Sequence, residues 1–144
     1  MSDGAAGAAH IAPLTAADVD AAIALWHAAS LTRPWNDPAQ DFARALAGPA
    51  STVLGLKRDA RLIATVMVGD DGHRGWLYYL AVAAGARGQG HGRAMLRVAE
   101  DWLAARGCSK VMLMVRRDNP VLRFYTAAGY GEDDVLVMAR WLKA

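Results

Sequence analysis

Cysteine is almost absent: the 144 residues contain one, Cys108. A single thiol excludes an internal disulfide and any metal site built from several cysteines, and no other residue pattern calls for a metal ion. We therefore expect a reducing, cytoplasmic setting and no metal. Long apolar runs are also absent. Because no stretch approaches the roughly 18 residues that span a bilayer, we expect no membrane partner.

Concentrated charge is lacking as well. The 16 Lys and Arg residues are mixed with 14 Asp and Glu residues, which leaves a net charge of +2 and no run of five basic residues. Because non-specific nucleic-acid binding needs a dense basic patch, we expect no nucleic-acid partner. The basic groups that are present are expected to face a local anion.

Composition and length indicate one globular domain. Hydrophobic residues make up 54% of the chain, which excludes disorder of the whole chain, and 144 residues suffice for one core but not for two. Residues 1–9 are small and lack the basic and apolar regions of a signal peptide. We expect them to form a flexible tail ahead of a single domain over residues 10–144.

Hydrophobic periodicity predicts a mixed α/β chain. A capping box at Thr15–Asp18 opens a first helix, and Asp37 followed by Pro38 starts a second. Further helices are predicted over residues 90–106 and over Asn119–Ala128. The predicted strands, in chain order, are His10–Leu14, Thr52–Lys57, Arg61–Val68, Trp76–Val82, Lys110–Val115 and Val135–Trp141.

The order of these elements predicts the sheet topology. Short turns join the three strands between residues 52 and 82, which should therefore run antiparallel. The strand Trp76–Val82, the helix over 90–106 and the strand Lys110–Val115 form a strand–helix–strand unit, so the last strand should lie parallel to the first. Its continuous apolar run predicts that Lys110–Val115 is buried.

A glycine-rich turn, Arg87-Gly88-Gln89-Gly90-His91-Gly92, separates the strand Trp76–Val82 from the helix that follows. Glycines let an anion approach the backbone without a Cβ, and the first N–H groups of a helix have no partner inside it. A P-loop needs a Lys-Ser/Thr pair, and a dinucleotide fingerprint needs glycine where Arg93 stands; neither is present. The turn therefore predicts a phosphate-bearing ligand of another kind.

The spacing Arg87-x-x-Gly90-x-Gly92 resembles the pyrophosphate-binding motif of the GNAT superfamily of acyl-CoA-dependent N-acyltransferases. The resemblance extends over roughly residues 10–142, and the other segments that carry it are Asn119, Tyr125, Gly129-Tyr130, Arg33–Asp37 and Asp71–Arg74. The last two segments are similar to those of small bacterial members. The resemblance implies the GNAT fold: a mixed, mostly antiparallel central sheet with a splayed parallel strand pair and about four flanking helices.

The same resemblance implies that acetyl-CoA is the acyl donor. Its pantetheine arm would enter the splayed gap and pair with exposed strand backbone. The N–H of Val82 is expected to polarise the thioester carbonyl, and Asn119 is expected to contact the arm and also to cap a helix. The residues assigned to acetyl-CoA are Leu80, Ala81, Val82, Arg87, Gly88, Gln89, Gly90, His91, Gly92, Arg93, Asn119 and Tyr125.

Tyr125 matches the family tyrosine whose hydroxyl faces the thioester sulfur. The departing thiolate needs a proton, which a phenol with an ordinary pKa of about 10 supplies at neutral pH. The resemblance therefore implies that Tyr125 is the general acid. A packing role on the short helix is the alternative.

The general base and the acceptor contacts are less constrained. Many family members place a glutamate near the central strand, but Trp76–Val82 contains no acid. The candidate bases are therefore Asp71 and His73 on the preceding turn, with Asp70 beside them, or a water chain near Tyr78 or Tyr79. Simple solvation of that turn is the alternative. The candidate acceptor contacts are Arg33, Trp35, Arg74 and Tyr78.

Taken with the resemblance, the residues predict an N-acetyltransferase that acts on a primary amine of a small molecule, amino acid or peptide. The amine attacks acetyl-CoA directly in a ternary complex. A protein N-terminus, for example of a ribosomal protein, is one alternative acceptor. An acyl-CoA-binding regulatory module with low turnover is the alternative from another functional class. A homodimer through the closing strands is left open by the residues.

Overall fold

A computed structural model describes residues 7–143. Most of the tail predicted over residues 1–9 therefore lies outside the described residues. The described chain divides into two compact units, residues 7–114 and 115–143, and each is described by itself below. The assignment of residues 10–144 to one domain stays a prediction.

The first unit is an α/β unit built on one sheet. Its strands are β1 (His10–Pro13), β2 (Ser51–Arg58), β3 (Arg61–Asp70), β4 (Gly75–Val82) and β5 (Val111–Leu113). Its helices are α1 (Val19–Ala28), α2 (Pro38–Ala47) and α3 (His91–Ala105), with 3₁₀ turns at Ala16–Asp18 and Ala84–Ala86.

The strands follow the order β1-β2-β3-β4-β5 across the sheet. All neighbouring pairs are antiparallel except β4 and β5, which run parallel with Gly75 opposite Val111 and Leu77 opposite Leu113. The pairing of β5 ends at that point, whereas β4 continues to Val82. The predicted fold class is therefore confirmed: the sheet is mixed and mostly antiparallel, with one parallel strand pair whose pairing ends before the end of β4.

Helices cover both faces of this sheet. On one face, Trp26 of α1 and Phe42 of α2 are at most 1% exposed and cluster with Val53 and Ala81 of the strands. On the other face, α3 packs so closely that a Cβ added to Gly75 would lie 2.5 Å from a Cδ atom of Leu103. The sheet is thus the middle of three layers.

Local signals in the sequence explain where the first helices begin. The N–H of Thr15 donates to Asp18 Oδ2 at 2.9 Å, and α1 follows after the short 3₁₀ turn. At α2, the Asp37 carboxylate accepts from the N–H of Gln40 at 3.1 Å, and Pro38 occupies the first turn. Both predicted starts are confirmed, because capping satisfies N–H groups that the helix itself cannot.

One predicted strand of the first unit is shorter and less buried than expected. The apolar run Lys110–Val115 predicts a buried strand, but only Val111–Leu113 pairs, and its residues are half-buried. Because β5 lies at the edge of the sheet, it has a partner strand on one side only. Apolar composition alone does not distinguish an edge strand from a central one.

The second unit contains one helix, α4 (Leu122–Ala127), within residues 115–143. The helix begins later than the predicted Asn119, because Asn119 Oδ1 instead accepts the N–H of Val121 at 3.1 Å in a turn. Gly129, with φ +95°, follows its end as predicted.

The closing strand predicted over Val135–Trp141 is wrong. Residues 131–143 form neither strand nor helix, and Leu136 and Met138 are 84% and 87% exposed. Alternating apolar side chains favour a strand only where a neighbouring strand supplies hydrogen-bond partners. Within the described range, these residues have no strand partner.

Candidate functional site

A β-bulge interrupts the central strand β4. The pairing of β3 with β4 shifts between Thr65 and Met67, so that Val66 alone faces both Tyr79 and Leu80. Tyr79 takes φ +54°, in the left-handed region that residues other than glycine rarely adopt. No glycine marks this bulge in the sequence, so it is not among the predicted features. The consecutive tyrosines, Tyr78 and Tyr79, are the signal by which it could have been suspected.

The bulge changes the face on which the following side chains lie. Gly75 faces α3, and with regular alternation Tyr79 and Ala81 would share that face. Instead, Ala81 is 3% exposed in the cluster around Trp26, and Tyr79 packs against the same cluster. The side chain of Ala81 is therefore held in the core, and its backbone N–H and C=O face Thr65 of β3.

Tyr79 is held by three contacts. Thr65 Oγ1 donates to the carbonyl of Tyr79 at 2.9 Å and accepts from Trp26 Nε1 at 2.8 Å. The Tyr79 and Trp26 rings stack with their centroids 3.9 Å apart. The Tyr79 hydroxyl donates to Asp41 Oδ2 at 2.7 Å, and burial together with that carboxylate raises the pKa of Tyr79. Strand β4 has no acidic residue of its own, but Asp41 of α2 places a carboxylate beside it.

Beyond the bulge, the N–H of Val82 points away from β3. The N–H of Ala83 donates to the carbonyl of Ile63 at 2.8 Å, and successive residues of an antiparallel strand point their polar groups to opposite sides. Val82 therefore directs its N–H and C=O toward the edge where β5 has already separated. Consistently, the Val82 carbonyl accepts from Arg87 Nε at 3.3 Å.

The predicted phosphate-binding turn forms an open glycine cradle. Gly88 and Gly90 have φ +79° and +82°, and a Cβ at either position would meet no heavy atom within 4 Å. Helix α3 begins directly afterwards, and Ala94 N–H donates to the Gly90 carbonyl at 3.1 Å. The N–H groups before Ala94 face the cradle, because an α-helix cannot satisfy its own first donors. Arg87 and Arg93 flank it and are exposed.

His91 contributes an unpaired polar atom at this helix start. Its Nε2 is buried and has no hydrogen-bond partner among residues 7–143. A buried polar atom without a partner carries a desolvation cost that a ligand oxygen would remove. Gln89 lies on the exposed part of the same turn, and Gly92 is half-buried in the first turn of α3.

The two candidate bases lie on the turn between β3 and β4. Asp71 Oδ1 accepts the N–H groups of Arg74 and His73 at 2.7 and 2.8 Å, and Oδ2 accepts Trp76 Nε1 at 3.0 Å. The bonds from the backbone of Arg74 and of His73 lower the pKa of Asp71. These contacts favour a turn-forming role for Asp71. His73 is exposed.

The candidate acceptor contacts fall into two groups. Arg33 and Trp35 belong to the connection between α1 and α2, where Arg33 Nη1 donates to two nearby carbonyls at 2.8 Å each and Trp35 is 54% exposed. Arg74 and Tyr78 lie at the start of β4, and Tyr78 is 44% exposed. Burial, and the charge of Asp71, raise the pKa of Tyr78.

Asn119 and Tyr125 belong to the second unit. Within it, Tyr125 makes edge-on contacts with the rings of Phe124 and Tyr130, with centroids 5.1 and 6.0 Å apart. Burial raises the pKa of Tyr125, so its hydroxyl keeps its proton at neutral pH. Asn119 is half-buried in the turn before α4. The remaining candidate residues lie in the first unit.

Residues 20–130 match a family model described as the acetyltransferase (GNAT) family. The chain belongs to the GNAT family. It is therefore an acyl-CoA-dependent N-acetyltransferase that takes its acyl group from acetyl-CoA, which confirms the predicted enzyme class and cofactor.

Solved structures share this GNAT fold at low sequence identity. A ribosomal-protein-alanine N-acetyltransferase from Brucella melitensis is 24% identical, with a TM-score of 0.74 over 93% of this chain and 99% of that one. An acetyltransferase from Clostridium acetobutylicum, solved with acetyl-CoA, is 15% identical, with a TM-score of 0.76 over 92% and 96%. Glucosamine-6-phosphate N-acetyltransferase from Arabidopsis thaliana is 19% identical, with a TM-score of 0.71 over 94% and 99%.

The loop of this GNAT chain has the donors that the pyrophosphate of acetyl-CoA requires. The open cradle at Gly88 and Gly90 gives backbone N–H groups access to an anion, and Arg87 adds positive charge beside them. The unpaired Nε2 of His91 lies at the same helix start and is a further donor in the tautomer that carries its proton. Among residues 7–143, no helix is long and apolar enough to cross a membrane, and no group of three or more His, Cys, Asp or Glu residues is arranged to hold a metal ion.

Replacing Gly90 by alanine is expected to weaken acetyl-CoA binding. A Cβ at φ +82° costs about 1–2 kcal/mol, and a backbone that relaxes out of this conformation no longer aims its N–H groups into the cradle. We expect the dissociation constant for CoA, measured by titration calorimetry, to rise about tenfold. Gly85→Ala is the matched control, because its Cβ also meets open space and its φ is not positive. Equal affinities for the two variants would contradict this role of Gly90.

Proposed function

We propose that this GNAT enzyme acetylates a primary amine of a small molecule, amino acid or peptide by direct attack within a ternary complex. The observation that carries the proposal is the direction of the Val82 N–H, which points toward the edge where β4 and β5 separate. A donor in that position is free to hydrogen-bond a thioester oxygen as negative charge develops there, an effect typically worth about 3 kcal/mol.

The acetyl-CoA contacts follow from the same strand and the loop after it. Leu80, Ala81 and Val82 are proposed to line the pantetheine arm. The outward-directed backbone of Leu80 and Val82 is proposed to pair with it as an added strand would. The pyrophosphate is proposed to bind the N–H groups of the cradle residues, with side-chain contacts from the charged and polar residues among them. The proposed pyrophosphate contacts are Arg87, Gly88, Gln89, Gly90, His91, Gly92 and Arg93.

Two proton transfers accompany the proposed reaction. As the amine nitrogen bonds to the acetyl carbon and the carbon–sulfur bond breaks, the Tyr125 hydroxyl donates its proton to the sulfur. Its raised pKa keeps it protonated for this step. Asn119 is proposed to contact the pantetheine arm. The amine proton leaves to water or to a side chain, for which Asp71 and His73 are the proposed candidates.

The acceptor class is supported by chemistry of the family and by exposed side chains of the first unit. The residues proposed to contact the acceptor are Arg33, Trp35, Arg74 and Tyr78. A protein N-terminus is the second candidate acceptor, because one structural neighbour is a ribosomal-protein-alanine N-acetyltransferase. A low-turnover acyl-CoA-binding module is the third possibility, and the lack of an acid in β4 itself favours it. A cytoplasmic location is part of the proposal.

A homodimer through the C-terminal segment is also proposed. The exposed apolar side chains between Val135 and Trp141 would lose contact with water if they paired with a second copy. The test is sedimentation equilibrium of the full chain, in which a monomer at all concentrations would exclude the dimer.

Release of free thiol tests the proposed reaction directly. The protein is incubated with acetyl-CoA and a pooled panel of small amines, amino acids and peptides, and thiol is measured over time. Amine-dependent thiol release is expected. The binding module would be supported instead if acetyl-CoA stabilises the protein against heat but releases no thiol in the presence of any amine, including a peptide with an N-terminal alanine.

Tyr125→Phe is expected to keep acetyl-CoA affinity and to lower kcat. Phenylalanine preserves the ring contacts with Phe124 and Tyr130 but removes the hydroxyl that protonates the thiolate. General acid catalysis contributes about a hundredfold or more, so a fall of that order is the expected size. Tyr130→Phe serves as the control for loss of a tyrosine hydroxyl from the same unit. An unchanged kcat for Tyr125→Phe would exclude it as an obligatory acid.

A further inference from the structure

The β4 bulge determines which backbone N–H groups face the open edge. Below the bulge Met67 faces Tyr78, and above it Ala83 donates to the carbonyl of Ile63. If the register below the bulge continued along β4 without a shift, Val82 would lie opposite Ile63. The N–H of Val82 would then be consumed by the Ile63 carbonyl. The register shift at the bulge therefore decides whether Val82 has a free donor.

The inserted residue is held in a conformation that it does not favour. A left-handed backbone costs an L-residue roughly 1–2 kcal/mol, and Tyr79 has no glycine neighbour in β4 to share the distortion. Such a conformation persists only where surrounding contacts determine it. The contacts that do so should therefore control the register of Val82.

Thr65 supplies the innermost of those contacts. It is fully buried, at 0% exposure, on the strand that faces the bulge. Its hydroxyl accepts from Trp26 Nε1 at 2.8 Å and donates to the Tyr79 carbonyl at 2.9 Å. A register slip would separate the Tyr79 carbonyl from Thr65 and leave buried polar atoms without partners.

The Tyr79 side chain supplies the outer contacts. Its ring stacks on Trp26, and its hydroxyl donates to Asp41 at the start of α2 at 2.7 Å. With the regular alternation of an unbulged strand, Tyr79 would turn toward the α3 face and lose both contacts. The side chain and the backbone of Tyr79 are thus held on the same side by independent interactions.

We infer that Thr65 and Tyr79, with Trp26 and Asp41 as their partners, are positioning residues for acetyl transfer. They lock the extra residue into β4, and the lock keeps the Val82 N–H directed at the open edge. The inference rests on the proposed role of Val82 as the donor to the thioester oxygen. It assigns a function in the reaction to four side chains that need not touch either substrate.

Thr65→Val tests the lock with little change in side-chain volume. Valine can neither accept from Trp26 nor donate to the Tyr79 carbonyl, whereas Thr65→Ser keeps the hydroxyl and is the matched control. We expect Thr65→Val to lower kcat about tenfold to a hundredfold, since small displacements of a reacting group have effects of that size. The KM for the acceptor should change little, and Thr65→Ser should restore kcat. Both variants are assayed well below their melting temperatures.

Hydrogen exchange gives a readout that does not depend on turnover. In the native chain we expect the Val82 amide to exchange faster than the Ala83 amide, which is bonded to Ile63. In Thr65→Val the difference between the two exchange rates should become smaller or change sign. A lower melting temperature with unchanged kcat and an unchanged exchange order would overturn the inference, because a merely structural role predicts that result. If the native protein releases no thiol with any amine, the proposed function fails, whereas the exchange order still tests the lock.

Tyr79→Phe covers the case in which Thr65→Val does not fold. It keeps the ring and the backbone contacts and removes only the bond to Asp41. We expect kcat to fall about threefold to tenfold, because the other contacts of the bulge remain, and the Val82 amide to become more protected. Asp41→Asn keeps an acceptor oxygen for the Tyr79 hydroxyl and should therefore lower kcat less than Tyr79→Phe does. Native kcat and native exchange in Tyr79→Phe would overturn the inference.

Discussion

The hydroxyl of Thr65 is the contact on which the geometry of this molecule depends. It lies in a dry core, where an unpaired polar atom costs about 1–3 kcal/mol, and there it joins a tryptophan of α1 to the strained carbonyl of Tyr79. Because both its donor and its acceptor capacity are used, it fixes the relative positions of a helix and two strands. The bulge that results gives Val82 a backbone donor directed away from the sheet. The core and the site are therefore determined by the same few atoms.

The anion cradle depends on a different kind of constraint. It is a local structure, in which Gly88 and Gly90 take left-handed conformations and α3 begins at once. No distant contact is needed to form it, because glycine adopts these angles at little cost and the helix start supplies free N–H groups. The site thus combines a local element that binds charge with a long-range element that positions a single donor. In the proposed function, the first binds the pyrophosphate of acetyl-CoA and the second stabilises the thioester oxygen during transfer.

This difference explains what the sequence could and could not predict. Capping residues predict the helix starts at Asp37 and Gly90. Periodicity and the order of the elements predict the strand pairing, including the parallel pair of β4 and β5. The bulge at Tyr79 was not predictable, since it depends on Thr65 and Trp26, which lie far away in the chain. The carboxylate beside β4 was missed for the same reason, because Asp41 reaches it from another element.

Two strand predictions that the structure contradicts have a common physical cause. The apolar alternation of Val135–Trp141 predicted a strand, and the apolar run Lys110–Val115 predicted a buried one. Both patterns describe side chains, whereas strand formation and burial depend on what lies beside the segment. In the structure the first segment has no strand partner within the described residues, and the second lies at the sheet edge.

The most direct test compares the backbone amide shifts of the ¹⁵N-labelled protein during titration with acetyl-CoA and with CoA. The two ligands share the pyrophosphate and differ in the thioester carbonyl. We expect the amides of Gly88–Gly92 to shift equally with both ligands and the amide of Val82 to shift with acetyl-CoA well beyond its response to CoA. Identical responses of Val82 to the two ligands, or no response at all, would contradict its role as the donor to the thioester oxygen.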